Sequence, residues 1–416
     1  MSFCGLDFGT SNSTIGISKQ QNIEMVALDG DNSILRSAIF LDEEELQMHF
    51  GESAIEHYIE GSEGRLMTSI KSVLGSSLMD QKTRVFNEMK SYSDVLGYFI
   101  KHMKNTAETS SGDTIDSVVL GRPVRFNDRD DEADQLAEDT LREIAQQQGF
   151  KHIEFQFEPI AAAMAYEQTV EKEELALIVD IGGGTSDFTL IKITPKDAKT
   201  PSEILATAGV HIGGTNLDKQ LSYNAVMPHL GLHTSMRTIS GTDIEIPRSY
   251  YSDLCTWHKI NLLYARESLI QIKAALNAAN DKQRTNRLIS VLENRDGHRL
   301  LEKVENAKKQ LTNQNSSFIP LDFIESQLQV ELTKDNFETI IDNDLQNIYQ
   351  GIEGLVKDAG INNSDVNAVF FTGGTSQIGK IQNDIMSTFK NAKKVTGNTF
   401  GSVGHGLVLD AVKRFS

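Results

Sequence analysis

Cysteine is almost missing from this 416-residue chain, with Cys4 and Cys255 the only two. A pair so far apart makes neither a disulfide framework nor a zinc site by spacing. Positive charge is also in deficit: 40 basic residues stand against 58 acidic ones, a formal charge of −18. That balance argues against nonspecific binding to nucleic acid or to an anionic membrane. Any phosphate site must therefore be a local arrangement. Long apolar runs are lacking too. Nowhere do about eighteen apolar residues occur together, and the first residues have no basic stretch followed by an apolar core. Neither a secretory nor a membrane-spanning segment is expected, and the reading is of a cytoplasmic protein.

What is there is ordinary soluble composition, 39% hydrophobic and 24% charged, in a length that suits about two to four domains. The acidic stretches DEEEL, NDRDDEAD and VEKEEL read as solvated helix ends and loops rather than sites. One device occurs twice. GLDFGTSNS places Asp7 in an apolar, strand-like run and follows it with Gly9, Thr10, Ser11 and Asn12. LALIVDIGGGTSDFTLI repeats the pattern with Asp180, then Gly182, Gly183, Gly184, Thr185, Ser186 and Asp187. Alternation puts Leu177, Val179 and Ile181 on one face and Ile178 with Asp180 on the other, so a largely buried strand carries one acid near its C-terminal end.

An unpaired buried carboxylate is costly and calls for partners or a metal. Glycines beside it let the backbone take positive φ and bring N–H groups close to a ligand, while Thr and Ser hydroxyls add donors. The combination suits a phosphate chain with its Mg²⁺. That ion uses only one or two carboxylates beside phosphate oxygens and water, so Asp7 and Asp180 are expected to hold one ion between them. One copy alone reads equally well as a hairpin whose Gly/Ser/Asp turn is only a turn; two copies with the acid at one offset are far harder to explain so.

Strand-like segments at 3–7, 14–18, 23–27 and 39–41 open the chain as an antiparallel meander. A helix-rich, more polar stretch follows, holding 52–59, RLMTSIKSVLG and the amphipathic SDVLGYFIKHMKNTAE. DSVVLGRPV returns as a strand ending near Pro123, DEADQLAEDTLREIAQQQGF is a helix closed by Gly149, and HIEFQFEP is a further strand. At Glu158 that strand stops, and IAAAMAYEQ continues as a small-residue helix with Pro159 in its first turn. From Leu175 the strand-turn-strand pattern restarts, running through ILATAGVHIGG to a helix near Asn216. The region 220–344 reads as helical and polar, and VFFTGGTSQIGKIQNDIMSTF closes the chain as strand, loop and helix. This order signals α/β architecture with mixed sheets and helical crossovers. Two copies of one unit are expected to face each other across a cleft. Lobe I spans 1–172 with an insert at about 42–114, lobe II spans 173–416 with an insert at about 216–344, and the closing helix returns to lobe I.

Five segments in order, GLDFGTSNS, FEPIAAAMAYE, IVDIGGGTSDFTLI, AGVHIGGTNLD and VFFTGGTSQIGKI, resemble the nucleotide-binding domain of the DnaK-type seventy-kilodalton heat-shock chaperones. The likeness covers nearly the whole chain, and its length with the terminal FGSVGHGLV most closely resembles the short YegD-type homologues. It implies the actin-like ATPase fold, two ribonuclease-H-like lobes with inserted subdomains around a nucleotide cleft, and hydrolysis of ATP to ADP with Mg²⁺. On that resemblance Thr10, Ser11 and Asn12 of one hairpin, and Gly183, Gly184 and Thr185 of the other, clamp the β- and γ-phosphates. Gly9, Gly182, Gly213 and Gly214 belong to the same nucleotide-binding motifs.

Lys71 of TSIKSVLG, which alone reads as a solvated helix lysine, falls at the family's water-orienting lysine, and Glu158 at its cleft glutamate. The resemblance sets Lys71 near the γ-phosphate while Glu158, Asp187 and Thr185 orient the attacking water. RLLEKVENAKKQLT carries Leu300, Leu301, Val304, Ala307 and Leu311 on one stripe, with Glu305, Lys308, Lys309 and Thr312 along the edge of one face. Those four are implied to hold adenosine, Lys309 replacing the family's arginine and Thr312 its serine. Lysine lacks the planar stacking surface of a guanidinium, so weaker adenine affinity is expected. An ordinary i to i+4 ion pair on a surface helix remains the alternative. Gly373, Gly374, Thr375 and Ser376 are implied to supply the other wall of the base site.

A P-loop does not fit. GTSQIGKI, Gly374 to Ile381, nearly satisfies the pattern but ends in Ile381, which has no hydroxyl for Mg²⁺. Departures from the chaperone pattern are several. The chain stops at Ser416 without an apolar linker or peptide-binding domain, Gly121 and Arg122 precede Pro123, Asp131 stands where an arginine is expected, Phe400 replaces an acidic residue and Gly379 a proline. The relay from nucleotide to a substrate domain is expected to be missing. Besides ATP, the implied partners are a protein client or a nucleotide-exchange partner, with no nucleic acid and no membrane. Two other readings stay open: a nucleotide-regulated scaffold with little hydrolysis, and another actin-like protein such as a small-molecule kinase or filament former.

Overall fold

Cys4 and Leu6 are wholly buried on the opening strand Ser2–Phe8, which pairs antiparallel with Asn12–Lys19 and parallel with Ile115–Arg122. The computed structural model describes residues 2–19, 22–76, 78–126, 130–167, 170–195, 200–395 and 402–416; Phe400 lies outside them. Asn22–Met25 extends the sheet beyond Asn12–Lys19, and His152–Phe157 extends it beyond Ile115–Arg122. A second sheet is built the same way. Glu174–Ile181 pairs antiparallel with Ser186–Ile193, which pairs with Glu203–Val210, and on its other side pairs parallel with Ala368–Thr372, followed by Lys393–Val395. In both, an antiparallel three-strand meander is continued beyond its first strand by two parallel strands. Asp7 and Asp180 occupy the next-to-last places on those two first strands.

The helix Ser402–Phe415 packs on the first sheet at very short range. A Cβ on Gly5 would stand 2.4 Å from the Val408 nitrogen, and one on Gly406 only 1.8 Å from the Ala161 carbonyl oxygen. Glycine is therefore required at both places for strand, closing helix and the helix Glu158–Glu167 to come together. Phe3 and Phe415, with ring centroids 6.2 Å apart, close the end of this contact. The packing fixes the strand that carries Asp7 and the helix that begins with Glu158 in one block.

Three local expectations change. Ala38–Asp42 does not continue the opening meander; it is the middle strand of a separate sheet between Gln47–Phe50 and Gly64–Thr68, with the helix Glu52–Glu60 packed nearby. All five of its residues are buried, and a strand buried throughout needs a neighbour along each edge. RLMTSIKSVLG supplies one of those neighbours, so it is strand through Thr68, then a left-handed Ser69 at φ 56° and the 3-10 turn Ile70–Val73. The region 220–344 is largely helical but also holds two hairpins, Ser235–Arg237 with Asp243–Glu245 and Ser316–Pro320 with Gln329–Thr333.

The chain divides into two units, residues 1–211, 350–377 and 382–416 forming one and residues 212–349 and 378–381 the other. Both five-strand paths lie in the first. Among the described residues no helix is long and apolar enough to cross a membrane.

Candidate functional site

The first unit brings its two Asp-bearing strand ends together through their turns. Gly9 N–H donates to Ser13 Oγ at 3.2 Å, and the Gly9 carbonyl accepts from Ser37 Oγ at 2.7 Å, so the first turn is tied from both sides. A Cβ on Gly9 would sit 2.1 Å from the Asn12 carbonyl oxygen. Thr10, Ser11 and Asn12 stay partly exposed. In the second turn Gly182 N–H donates to the Thr185 carbonyl at 2.9 Å, while Gly184 and Thr185 are exposed at the tip. The turns meet closely: a Cβ on Gly183 would lie 2.2 Å from Ser11 Oγ.

Gly373 to Ser376 support the second turn from behind. Gly373 takes φ 77°, and a Cβ there would stand 2.4 Å from the Ile181 carbonyl oxygen and 2.5 Å from Asp180 Oδ1. Thr375 Oγ1 donates to the Gly182 carbonyl at 2.9 Å and Ser376 Oγ to the Gly373 carbonyl at 2.7 Å. Both hydroxyls are thus engaged in holding loops.

Lys71 is not a solvated helix lysine. It lies in the turn after Gly64–Thr68, is 9% exposed, and donates from Nζ to Glu158 Oε1 at 2.9 Å. Phe8 and Phe126 each place a ring centroid 6.0 Å from the ammonium. Gly121 makes room beneath the pair: a Cβ there would meet Glu158 Cγ at 3.3 Å and Asp7 Oδ1 at 3.5 Å. Phe8, Phe126 and Gly121 were not legible as site residues, because each reads locally as strand core or loop.

Electrostatics are dominated by crowded acids. Burial, then the Glu158 carboxylate, push Asp7 up to about 7 against the opposing pull of Lys71. Asp180 is raised well above the ordinary carboxylate range by burial, then by Asp187, Glu158 and Asp7. Burial draws the Lys71 ammonium down, but Glu158, Asp7 and Asp180 together outweigh it and its pKa ends above the usual lysine value. Asp187 stands opposite Asp180 on the neighbouring strand and accepts from Thr185 Oγ1 at 3.0 Å. A cavity of about 420 Å³ borders Glu158, Asp180 and Asp187, with Thr372, Pro123 and Val403 also in its lining.

Residues 3–229 and 274–411 match the Hsp70 protein family. The chain belongs to the Hsp70 family. Its duplicated sheet topology is accordingly that of the actin-like ATPase fold, and the family makes it an ATP-binding module of the chaperone type. Hsp70 proteins generally hydrolyse ATP and bind nucleotide with Mg²⁺. Two of the positions that depart from the Hsp70 pattern have local partners here: Arg122 pairs with Asp134 at 3.0 Å and with Glu138, and Asp131 pairs with Arg125 at 2.7 Å.

In the second unit Gly213 precedes the helix Gly214–Leu221, its N–H donating to Asn216 Oδ1 at 3.0 Å. Lys308 reaches this helix from Gly297–Leu311, its Nζ bonding Asp218 Oδ2 at 2.7 Å and the Gly214 carbonyl at 3.2 Å. Glu305 and Lys309 form an i to i+4 ion pair at 2.9 Å, and Thr312 follows the helix end, partly exposed. Lys308 is thus a buried structural cation of this unit. Burial raises the pKa of Asp218, Lys308 opposes that rise, and Asp218 Oδ1 has no hydrogen-bond partner among the described residues. Lys308→Ala should leave a buried carboxylate uncompensated and destabilise the protein by about 3 kcal/mol, read as a lower urea midpoint. A nucleotide-binding defect with unchanged stability would contradict this.

Proposed function

We propose that this Hsp70-family chain is a Mg²⁺-dependent ATPase whose phosphate-handling groups lie in the first unit. The observation that carries the reading is the convergence of two glycine- and hydroxyl-bearing turns, each after a strand whose next-to-last residue is an acid, beside the Lys71–Glu158 pair. Turns whose tips are small and partly exposed can present backbone N–H groups and hydroxyls to phosphate oxygens. Thr10, Ser11 and Asn12 on one side, and Gly183, Gly184 and Thr185 on the other, are the proposed clamp, with Gly9 and Gly182 holding its bends.

A hard divalent cation fits the donor set. Asp7 and Asp180 are all-oxygen donors whose pKa values are raised by burial first and then by neighbouring carboxylates, and Lys71 does not offset that rise, so a divalent cation would favour their ionised form. Asp7 and Asp180 would hold Mg²⁺, directly or through its waters, and when bound the ion neutralises charge on the phosphates. Phosphoryl transfer to water otherwise needs positioning and charge stabilisation more than covalent chemistry. Lys71, held protonated by its acidic neighbours, acts as a fixed positive charge and not as a base. Glu158, Asp187 and Thr185 are acceptors suited to orienting a water, Thr185 being aligned by its bond to Asp187.

Calorimetric titration with ATP, ADP and GTP, with Mg²⁺ and with chelator, tests binding, and single-turnover hydrolysis tests chemistry. Mg²⁺-dependent binding that favours the adenine nucleotides, followed by conversion of bound ATP to ADP and phosphate, is the expected result. Equal affinity with and without Mg²⁺ would remove the ion-holding role of Asp7 and Asp180. Tight binding without hydrolysis above background would replace the ATPase reading with a nucleotide-regulated scaffold.

A further inference from the structure

We propose that Asp42, His49 and His57 form a binding site for a zinc-class divalent metal ion, separate from the phosphate-handling residues. The three side chains come from three elements: Asp42 ends the strand Ala38–Asp42, His49 lies in the adjacent strand Gln47–Phe50 opposite Phe40, and His57 lies in the helix Glu52–Glu60. Their ligating atoms all lie within 4.8 Å of one another. Zinc bonds of about 2.0–2.2 Å in a tetrahedron set donor atoms about 3.3 Å apart, and an imidazole holds its ion in the ring plane, so the two rings, stacked at an interplanar angle of 22°, must turn out of their stack for both to bind.

Each residue is prepared for an ion by its other contacts. His57 Nδ1 lies 2.9 Å from the Ser53 carbonyl oxygen, which can only accept, so Nδ1 carries the proton and Nε2 presents its lone pair. This is the outer-sphere arrangement usual for a metal-bound imidazole. His49 Nε2 is buried with no hydrogen-bond partner among the described residues, a cost that a metal bond would remove. Asp42 is 4% exposed, and its Oδ1 accepts from the N–H groups of Glu44 and Glu45 at 2.9 and 2.8 Å, which orients the carboxylate.

The two imidazoles stack with centroids 3.7 Å apart, and Phe40 stands 6.4 and 6.1 Å from them as an apolar wall. Two imidazole nitrogens and one carboxylate suit zinc and its neighbours in the transition series, whereas Mg²⁺ and Ca²⁺ prefer oxygen alone. Three protein ligands leave a fourth position for water. The ion would tie the helix to both strands of the hairpin beneath it.

The test uses the full chain, freed of metal by chelator and titrated with Zn²⁺ in a large excess of Mg²⁺, with binding read by calorimetry and stability by thermal unfolding. One Zn²⁺ per chain and a higher Tm are expected. His49→Gln and His57→Gln should each weaken Zn²⁺ by more than the 10- to 100-fold typical of an outer-sphere partner and abolish the Tm rise. Asp7→Asn should leave Zn²⁺ binding unchanged. Co²⁺ should bind with the visible absorption of a tetrahedral site in wild type and not in the His variants. Circular dichroism of metal-free samples establishes folding; if His49→Gln does not fold, His57→Gln, on the half-exposed helix, carries the comparison. Absence of stoichiometric Zn²⁺, binding that survives both substitutions, or binding lost with Asp7→Asn would each overturn the proposal.

Discussion

Replacing Lys71 with alanine should slow single-turnover hydrolysis of bound ATP by about 10² to 10³, roughly 3 to 4 kcal/mol of transition-state stabilisation. ATP affinity should change far less. A charge that acts on the attacking water and on the developing transition state contributes little to holding the ground state, so the loss falls on the rate. Two observations support the assignment: Nζ is fixed against Glu158 at 2.9 Å, and it is nearly buried between Phe8 and Phe126. The substitution leaves both turns untouched. It also removes the cation from among Asp7, Glu158 and Asp180, so the nucleotide-free variant should melt below wild type, and rates are best compared with Mg²⁺ present. Lys71→Arg keeps the charge but spreads it over a planar fork, and an intermediate rate is expected. An active wild type whose rate is unchanged in Lys71→Ala would show that another group supplies the charge.

The second large effect runs in opposite directions for stability and for binding. Asp7→Asn should stabilise the nucleotide-free, Mg²⁺-free protein at pH 8 by on the order of 2 kcal/mol and change it little at pH 4. With its pKa near 7 in the fold and about 4 in the unfolded chain, this carboxyl takes up a proton on folding between those values. Stability is therefore greatest on the acid side and falls as pH rises toward 7, and the full cost is present above it. Asparagine carries no such charge and escapes the cost. The same substitution should weaken Mg²⁺-dependent ATP binding. In wild type that binding should tighten from pH 6 to pH 8 as Asp7 loses its proton, and in Asp7→Asn the tightening should shrink. Urea unfolding at the two pH values, with and without Mg²⁺, and calorimetry across the same range are the measurements. A Mg²⁺-free Asp7→Asn protein less stable than wild type at pH 8 would show that the carboxylate is already compensated by its neighbours.

Much of the candidate site was legible because its parts are short. An acid at the end of an apolar strand, a glycine and several hydroxyls fit within nine residues, and their repetition around Asp180 marked both turns before any contact was known. Lys71 was not legible in this way. Its partner Glu158 is 87 positions away, and its own neighbours read as a helix that the fold replaces with a strand and a 3-10 turn. Only resemblance to a family put it in the site. Lys308 went the other way: grouped by helical spacing with Glu305, Lys309 and Thr312, it is turned inward to Asp218, 90 positions earlier.

By itself the sequence determined the mixed α/β class, the paired strand-and-turn devices and the absence of a P-loop. Each depends on periodicity, turn chemistry or spacing within roughly ten residues, scales at which burial and backbone preference act directly. Tertiary structure alone decided which strand edges are paired, so that Ala38–Asp42 left the opening meander for a sheet of its own. It also decided the charge states. Asp7 and Asp180 are ordinary carboxyls in an extended chain; their protons become hard to lose only when folding removes water and sets Glu158 and Asp187 beside them. The meeting of Asp42, His49 and His57 has the same origin, since ligands from two strands and a helix converge only after the helix has packed against the sheet.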